Sequence, residues 1–403
     1  MDFEVVILGS DVNAYYMARN CHEAFGKKAY LIGMTPMNFT HLSSILNITY
    51  ESNLHEAKTV KKVLKEFASK HKNKKLLLIG SNDNYVRLII ENQEYLKKYY
   101  YFHTFSEELL NNFLIKDKFY KEFSNIDIPE TYIYDIKSKL DMKKVNKINY
   151  PLILKPGNGI DYHDHEFIGQ AKVYKIKNEN ELKETINQIK KSGYIGNIII
   201  QKFIEGDDSN LFDCIVYCDR FGKVKLMTFA QIALQEHTHT GIGNCTLLVN
   251  GYNQYGNTNK VVEKLKKFIE STGYHGIAEF DLKYDPSDKT FKILEINPRQ
   301  ARSSYYLTAC GYNLVKYLVD DLIYEKKLDY HFINEKMCLS FVPKKVIKEN
   351  VDNVKLKEEI LKLIKEKKIC DPLDYKKDKS LKRKMWLKLR KINYVKKYRK
   401  CKW

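Results

Sequence analysis

The sequence predicts a mixed α/β protein: a parallel α/β unit at the amino end, an antiparallel α+β body, and a basic helical tail. Three observations carry this. Apolar strand-like runs alternate with helix-period segments over about the first 110 residues, the pattern of a parallel sheet with crossover helices. From about residue 150, strand-like runs follow one another across turn-forming residues, which reads as antiparallel pairing. From about residue 346 the spacing is helical and the charge density high.

Length and composition bound the rest. At 403 residues the chain exceeds one ordinary domain, and an apolar fraction of 44% supports real cores. No apolar run approaches the roughly 20 residues of a spanning helix, and the acidic opening MDFEVVILGS does not read as a signal peptide. Eight scattered cysteines with no CxxC pair suit a reducing cytoplasm and indicate neither zinc nor a disulfide framework. Net charge is +19, but residues 376–403 hold fourteen Lys and Arg against the single acid Asp378, which leaves about +6 for the remainder. Arguments from basicity therefore belong to the tail.

In chain order, FEVVILGS (3–10) is an apolar strand entering a turn, DVNAYYMARNCHEAF a helix, and KKAYLIGM a second strand. GxGxxG is absent, so a structural Rossmann-like half is expected rather than a dinucleotide site. A helix over 54–71, the strand KLLLIGS and the helix YVRLIIENQEYL continue the pattern. LIKDKFYKEF is a short amphipathic helix, and YPLILKPG a buried strand that delivers Lys155 just before Pro156. Alone, Lys118 reads as a surface charge and Lys155 as a snorkelling end. The loop GNGIDYHDHEFIGQ leads to the strand AKVYKI, the helix ELKETINQIKKS and the strand NIIIQKF. FDCIVYCD and FGKVKLMTFAQIAL are expected to pair across Asp219–Gly222; HTHTGIGNCT is a polar loop and TNKVVEKLKKFIESTG a helix.

GIAEFDLK (276–283) and TFKILEIN (290–297) alternate apolar and polar residues around the turn YDPSDK, a β-hairpin pattern. With the turn centred near Ser287, Glu279 is expected to face Glu295, with Asn297 further along the same face. Like charges directly opposed destabilise a sheet. A cation between them removes the penalty, and two carboxylates with an amide oxygen suit Mg²⁺. The alternative is a solvated polar face. GYNLVKYLVDDLI is an apolar helix after the hairpin. MWLKLRKINYVKKYRKCKW mixes aromatic and aliphatic residues with cations, which reads as a solubilising or disordered end, as adhesion to an anionic membrane surface, or, less readily, as a nucleic-acid contact.

Taken in order, Lys118, ILKP with Lys155, a loop, QKFIEGDD, and AEFD…LEINPR resemble the ATP-grasp superfamily over roughly residues 1–330, EINPR being the most specific piece. The resemblance implies a Rossmann-like domain (1–115), a lid subdomain (116–205, flap 157–170), a subdomain with the Mg²⁺ and ATP site (206–345) and a helical tail (346–403). It implies Lys118 and Lys155 on the α- and β-phosphates. Gln201 with the backbone of Lys202, Phe203 and Ile204 would receive adenine, and Asp208 the ribose. Glu279, Glu295 and Asn297 would bind Mg²⁺, Asp281 sharing the face of Glu279. Arg299, with Lys155, would act at the acyl-phosphate. Gln201 departs from the common Glu, yet its amide oxygen can still accept from the adenine amino group.

EINPRQARSSYYLTACGYNL and AYYMAR resemble most the D-aspartate ligases of peptidoglycan synthesis. That implies activation of the β-carboxylate of D-aspartate and transfer to a lysine side-chain amine of a stem-peptide precursor. Arg299, Arg302 and Ser303 would grip the second carboxylate. The expected setting is cytoplasmic, peripheral to the inner membrane face through residues 376–403, with deletion of that tail tolerated on soluble substrate. A homodimer is possible, as for many relatives. Rival readings are another ATP-grasp amino-acid or peptide ligase, a bicarbonate-activating carboxylase, and a non-catalytic ATP-binding protein held at the membrane.

Overall fold

The computed structural model describes residues 2–238, 241–256 and 258–400. Part of the loop 237–246 and the end of the tail, Trp403 included, lie outside the described residues.

Strands β1 (Phe3–Leu8), β2 (Ala29–Gly33), β3 (Leu46–Tyr50) and β4 (Lys75–Gly80) form an all-parallel sheet in the order β3-β2-β1-β4. Every residue of β1 is buried, as expected of a parallel strand covered on both faces. The chain leaves β1 through Gly9 at φ 112°, where a Cβ would lie 2.0 Å from Ser81 Oγ; only glycine fits. Asp11 then caps the helix Val12–Phe25, accepting from the Ala14 amide at 3.0 Å. That helix is buried nearly all round because later segments cover its outer side: Tyr16 Oη donates to the Ala301 carbonyl at 2.8 Å and Tyr15 Oη to Asp378 at 3.1 Å.

Strands β5 (Thr131–Asp135), β6 (Leu152–Pro156), β7 (Tyr174–Ile176) and β8 (Asn197–Lys202) make an antiparallel sheet, β5-β8-β6-β7. The helix Glu179–Lys191, capped by Asn178, lays Leu182, Ile186 and Ile189 on it at i, i+4, i+7 spacing. The expected flap contains a short helix, Gly159–His163.

The third sheet has nine strands. They are β9 (Leu211–Cys218), β10 (Val224–Thr228), β11 (Ala230–Gln235), β12 (Cys245–Asn250), β13 (Gly276–Asp285), β14 (Thr290–Asn297), β15 (His331–Ile333), β16 (Met337–Ser340) and β17 (Ile369–Cys370). The main path is β14-β13-β9-β11-β12-β16-β17, with β10 between β9 and β15. The expected single partner of β9 is thus two strands, broken at Phe229.

The hairpin differs from expectation in register. Glu279 pairs with Asn297 and Asp281 with Glu295, and a bulge follows Asp281. The loop closes at Asp285–Thr290 with Lys289 at φ 58°. Period two still holds, so all four polar residues share one face.

The tail is folded. The helix Leu381–Lys400 buries Arg383, Tyr394 and Tyr398 against the body. Arg383 stacks 3.5 Å over the Tyr15 ring and pairs with Asp378 at 3.2 Å, both side chains being almost wholly buried. Asp378 also accepts from Ser43 Oγ at 2.8 Å and from the Ser44 amide at 2.9 Å. The one acid of the basic tail anchors it, because a buried guanidinium needs a paired, hydrogen-bonded carboxylate. The readings of a disordered or purely solubilising end are therefore corrected. Among the described residues, no helix is long and apolar enough to cross a membrane.

Candidate active site

The polar face of the hairpin opens into a cavity of about 530 Å³ lined by Glu279, Asp281, Glu295, Asn297 and Arg299. Its opposite wall is built from the loops after β1 and β4, through Asp11, Asn13, Asn82 and Asp83. Ligands of open parallel sheets sit beyond the carboxyl ends of the strands, and here those ends supply one wall. Arg299 ties the walls together. Its Nε donates to Asp83 Oδ1 at 2.7 Å, one Nη to Glu279 Oε2 at 3.3 Å, and the other to Asn297 Oδ1 at 3.1 Å. Asn297 turns its amide nitrogen to Glu279 and Asp281, at 3.3 and 3.2 Å.

Burial, with the negative charges of neighbouring acids, pushes the Glu279 and Asp281 carboxyls well above the ordinary range. Behind them Asp213, on β9, is fully buried; burial pushes its carboxyl up to about 7, against hydrogen bonds from Ser303 Oγ at 2.5 Å and Tyr306 Oη at 3.1 Å. Glu295 differs: Lys116, ion-paired to it, holds it well below the carboxylate range. Clustered carboxylates whose charged forms are disfavoured first by burial and then by one another are a donor set that a divalent cation would relieve. Among the described residues, no three acidic, His or Cys side chains make a closed ligand set. Mg²⁺ takes one or two carboxylates and fills its shell with water and phosphate oxygens, and Glu279 and Glu295 are two such carboxylates on one face. The residues present fit the ion.

A second cavity of about 540 Å³ lies between the second and third sheets and shares Lys172, Gly243, Asp281 and Glu295 with the first. Lys116, Lys155, Gln201, Phe203, Ile204 and Asp208 also line it. Lys155 is buried and donates to Tyr120 Oη at 2.8 Å, while Tyr120 donates to the Leu294 carbonyl at 2.5 Å. Burial, reinforced by Lys116, lowers the Lys155 ammonium to about 7. Gln201 donates to Thr131 Oγ1 at 2.7 Å. Lys202 reaches Asp285 at 2.8 Å and Ser287 at 2.7 Å, tying the connection after β8 to the hairpin turn. The Phe203 ring lies 3.8 Å from Lys175 Nζ and 5.4 Å from Lys283 Nζ. Asp208 accepts from the Gln235 amide at 3.0 Å, from Gln235 Nε2 at 2.7 Å and meets His237 Nε2 at 2.7 Å. A lysine-lined cleft with an apolar slot at one end and an acid cluster at the other suits a nucleoside triphosphate.

Comparison with known proteins agrees. The ATP-grasp domain family matches residues 115–303. A D-aspartate ligase of Enterococcus faecium is 29% identical over 412 residues, covering 99% of this chain and 96% of the relative. Residues 115–303 are an ATP-grasp domain. Among solved structures, an N5-carboxyaminoimidazole synthetase from Staphylococcus aureus complexed with ADP has a TM-score of 0.62 at 13% identity, covering 84% of this chain and 82% of that one. An L-amino acid ligase from Bacillus licheniformis has a TM-score of 0.56 at 13% identity, covering 81% and 75%. Both likenesses are of fold. The ATP-grasp domain and the full-length likeness to a ligase together support an ATP-dependent carboxylate–amine ligase.

The structure departs from the sequence expectation at two of the site residues. Lys118 is exposed, and Lys116 takes the position against Glu295. The two lie on a short helix, Lys116–Glu122, where a two-residue step is a turn of about 200°. Ser303 is fully buried and spends its hydroxyl on Asp213, so it does not reach the cavity. Arg302 does line the cavity, 3.8 Å from Glu236. Two contributors escaped sequence reasoning. Asp213 is the one acid of the apolar strand LFDCIVYC, a position that could have signalled a buried role. Arg390, Tyr394 and Lys397 of the tail also line the first cavity, and only packing reveals that.

Proposed function

We propose that this ligase phosphorylates the β-carboxylate of D-aspartate and joins it to the lysine side-chain amine of a peptidoglycan stem-peptide precursor. The observation that carries the reading is the 29% identity running along 99% of the chain, since it includes both walls of the first cavity as well as the nucleotide cleft.

In this reading Lys116 and Lys155 hold the phosphates of ATP, Gln201 with the segment 202–204 receives adenine, and Asp208 accepts from ribose. Glu279 and Glu295 would hold Mg²⁺, with Asp281 beside them on the same face and Asn297 joining if its amide is rotated to present oxygen. Bound there, the ion supplies positive charge to the phosphate oxygens. A β-carboxylate oxygen attacks the γ-phosphorus and the bond to the leaving ADP oxygen breaks. The acceptor amine then attacks the acyl carbon, phosphate leaves, and the amine proton passes to solvent. Lys155 and Arg299, positioned by Tyr120 and Asp83, stand as fixed donors where negative charge accumulates. Residues 157–170 would cover the acyl-phosphate against water.

The outward face of the terminal helix supports a membrane-proximal setting. Leu381, Met385, Leu389 and Ile392 are 78%, 67%, 57% and 53% exposed and follow i, i+4, i+8, i+11 spacing among lysines. Such a face suits an anionic lipid surface; unchanged vesicle sedimentation of a Met385→Glu, Leu389→Glu variant would count against it.

The deciding experiment follows ADP release from MgATP with a panel of amino acids, and the amide product by mass spectrometry with a stem-peptide precursor. D-Aspartate should support turnover. Equal turnover with L-aspartate or with monocarboxylic amino acids would sink the reading.

A further inference from the structure

The carboxy-terminal helix brings cations into a cavity already bounded by acids. Arg390 is held in a cage of rings: its guanidinium lies 4.7 Å from the Tyr394 centroid, 5.5 Å from Phe39 and 5.6 Å from Phe341. It donates to Tyr394 Oη at 2.8 Å. Arg302 stacks at 4.9 Å on the same Phe341 ring, and its Nε is buried without a hydrogen-bond partner.

Counter-charge is short at this end. Glu236 lies 3.8 Å from Arg302 and 4.0 Å from Lys397, and it accepts from Tyr394 Oη at 3.2 Å. Among the described residues, Arg390 has no carboxylate within ion-pair distance. Two guanidiniums and an ammonium thus share one acid inside a partly enclosed space. Charges withdrawn from water without a partner are costly, and a planar fork held by aromatic rings is preorganised for a carboxylate. The other end of this cavity, at Asp281 and Glu295, is where it joins the nucleotide cleft.

We infer that Arg390 of the terminal helix, with Arg302 beside it on the Phe341 ring, binds the non-reacting carboxylate of a dicarboxylic amino acid, so that the tail enforces the requirement for a second acid group. The inference rests on the ligase reading above. A dicarboxylate anchored between the two guanidiniums presents its other carboxyl toward the nucleotide cleft. An amino acid with one carboxyl must leave one end unmet.

The test uses the full-length protein with MgATP, reading ADP release against D-aspartate and against β-alanine, which keeps the reacting carboxylate and lacks the second. In Arg390→Gln the KM for D-aspartate should rise about tenfold or more, the loss expected of a charged hydrogen bond, with the KM for ATP held within about twofold. Arg390→Lys should recover part of the loss, and β-alanine should remain a poor substrate for every variant. Lys397→Ala, at a side chain 52% exposed, leaves the packing untouched and should raise the D-aspartate KM by a few-fold at most. An unchanged D-aspartate KM in Arg390→Gln overturns the inference. An equal rise in both KM values overturns it as well, since that marks the helix as scaffold. If the wild type uses β-alanine as well as D-aspartate, the substrate reading and this inference fall together. If the wild type demands D-aspartate and Arg390→Gln keeps its KM, this inference falls alone.

Discussion

Lys116 and Glu295 form an ion pair where the nucleotide cleft meets the acid-lined cavity. Burial pulls the Lys116 ammonium down, yet Glu295 outweighs it and holds the group above its ordinary value. Lys116 is therefore a cation at the junction, while Lys118 faces solvent. Removing a charged hydrogen bond costs about 1.5–3 kcal/mol, roughly a 10- to 150-fold change. Lys116→Ala is expected to raise the KM for ATP within that range, and Lys118→Ala to leave it within about twofold. Steady-state ADP release measures both, and reversed effects would return the role to Lys118.

Asp281 and Glu295 face each other in the hairpin and line both cavities. Glu295→Gln and Asp281→Asn should each abolish detectable turnover while circular dichroism stays near wild type. Asp281→Asn relieves the crowding of acids and should not lower the melting temperature, whereas Glu295→Gln gives up the Lys116 ion pair and should lower it. Wild-type turnover in Glu295→Gln would refute the ion-binding assignment.

Lys155 titrates near 7 when no phosphate faces it. Phosphate oxygens favour the charged form and raise that value. Between the free and bound values, nucleotide binding must take up a proton, so affinity for MgATP should weaken as pH rises above about 7. Calorimetry at pH ~8 in buffers of different ionisation heat should report uptake of up to about one proton. Lys155→Met should bind weakly and without that uptake; undiminished uptake in the variant would assign the proton to another group.

Ser303 donates to Asp213 at 2.5 Å inside the core. Ser303→Ala leaves that carboxyl with one donor fewer, which costs about 1–3 kcal/mol. A lower urea midpoint with unchanged KM for the amino acid is expected. Unchanged stability with a raised KM would restore Ser303 as a substrate contact.

What the amino-acid order determined by itself is local and periodic. Alternation in AEFD and LEIN places Glu279, Asp281, Glu295 and Asn297 on one face whatever the turn, because a two-residue slip in register preserves the face. The expected pairing of Glu279 with Glu295 was off by such a slip, and the acid cluster survived it. Lys155 at the end of an apolar strand, and the segment 201–204 leaving another, were legible for the same reason. Tertiary packing decided what no local period encodes. Which of two lysines on a short helix meets Glu295 depends on how that helix is rotated against β14. Asp213 enters the site from β9, 66 positions before Glu279, through strand pairing. The tail's inward face was set by Asp378, whose burial beside Arg383 and Tyr15 pins the helix and carries Arg390 to the cavity. Long-range contacts of this kind depend on which surfaces can be desolvated together, and that is a property of the assembled chain.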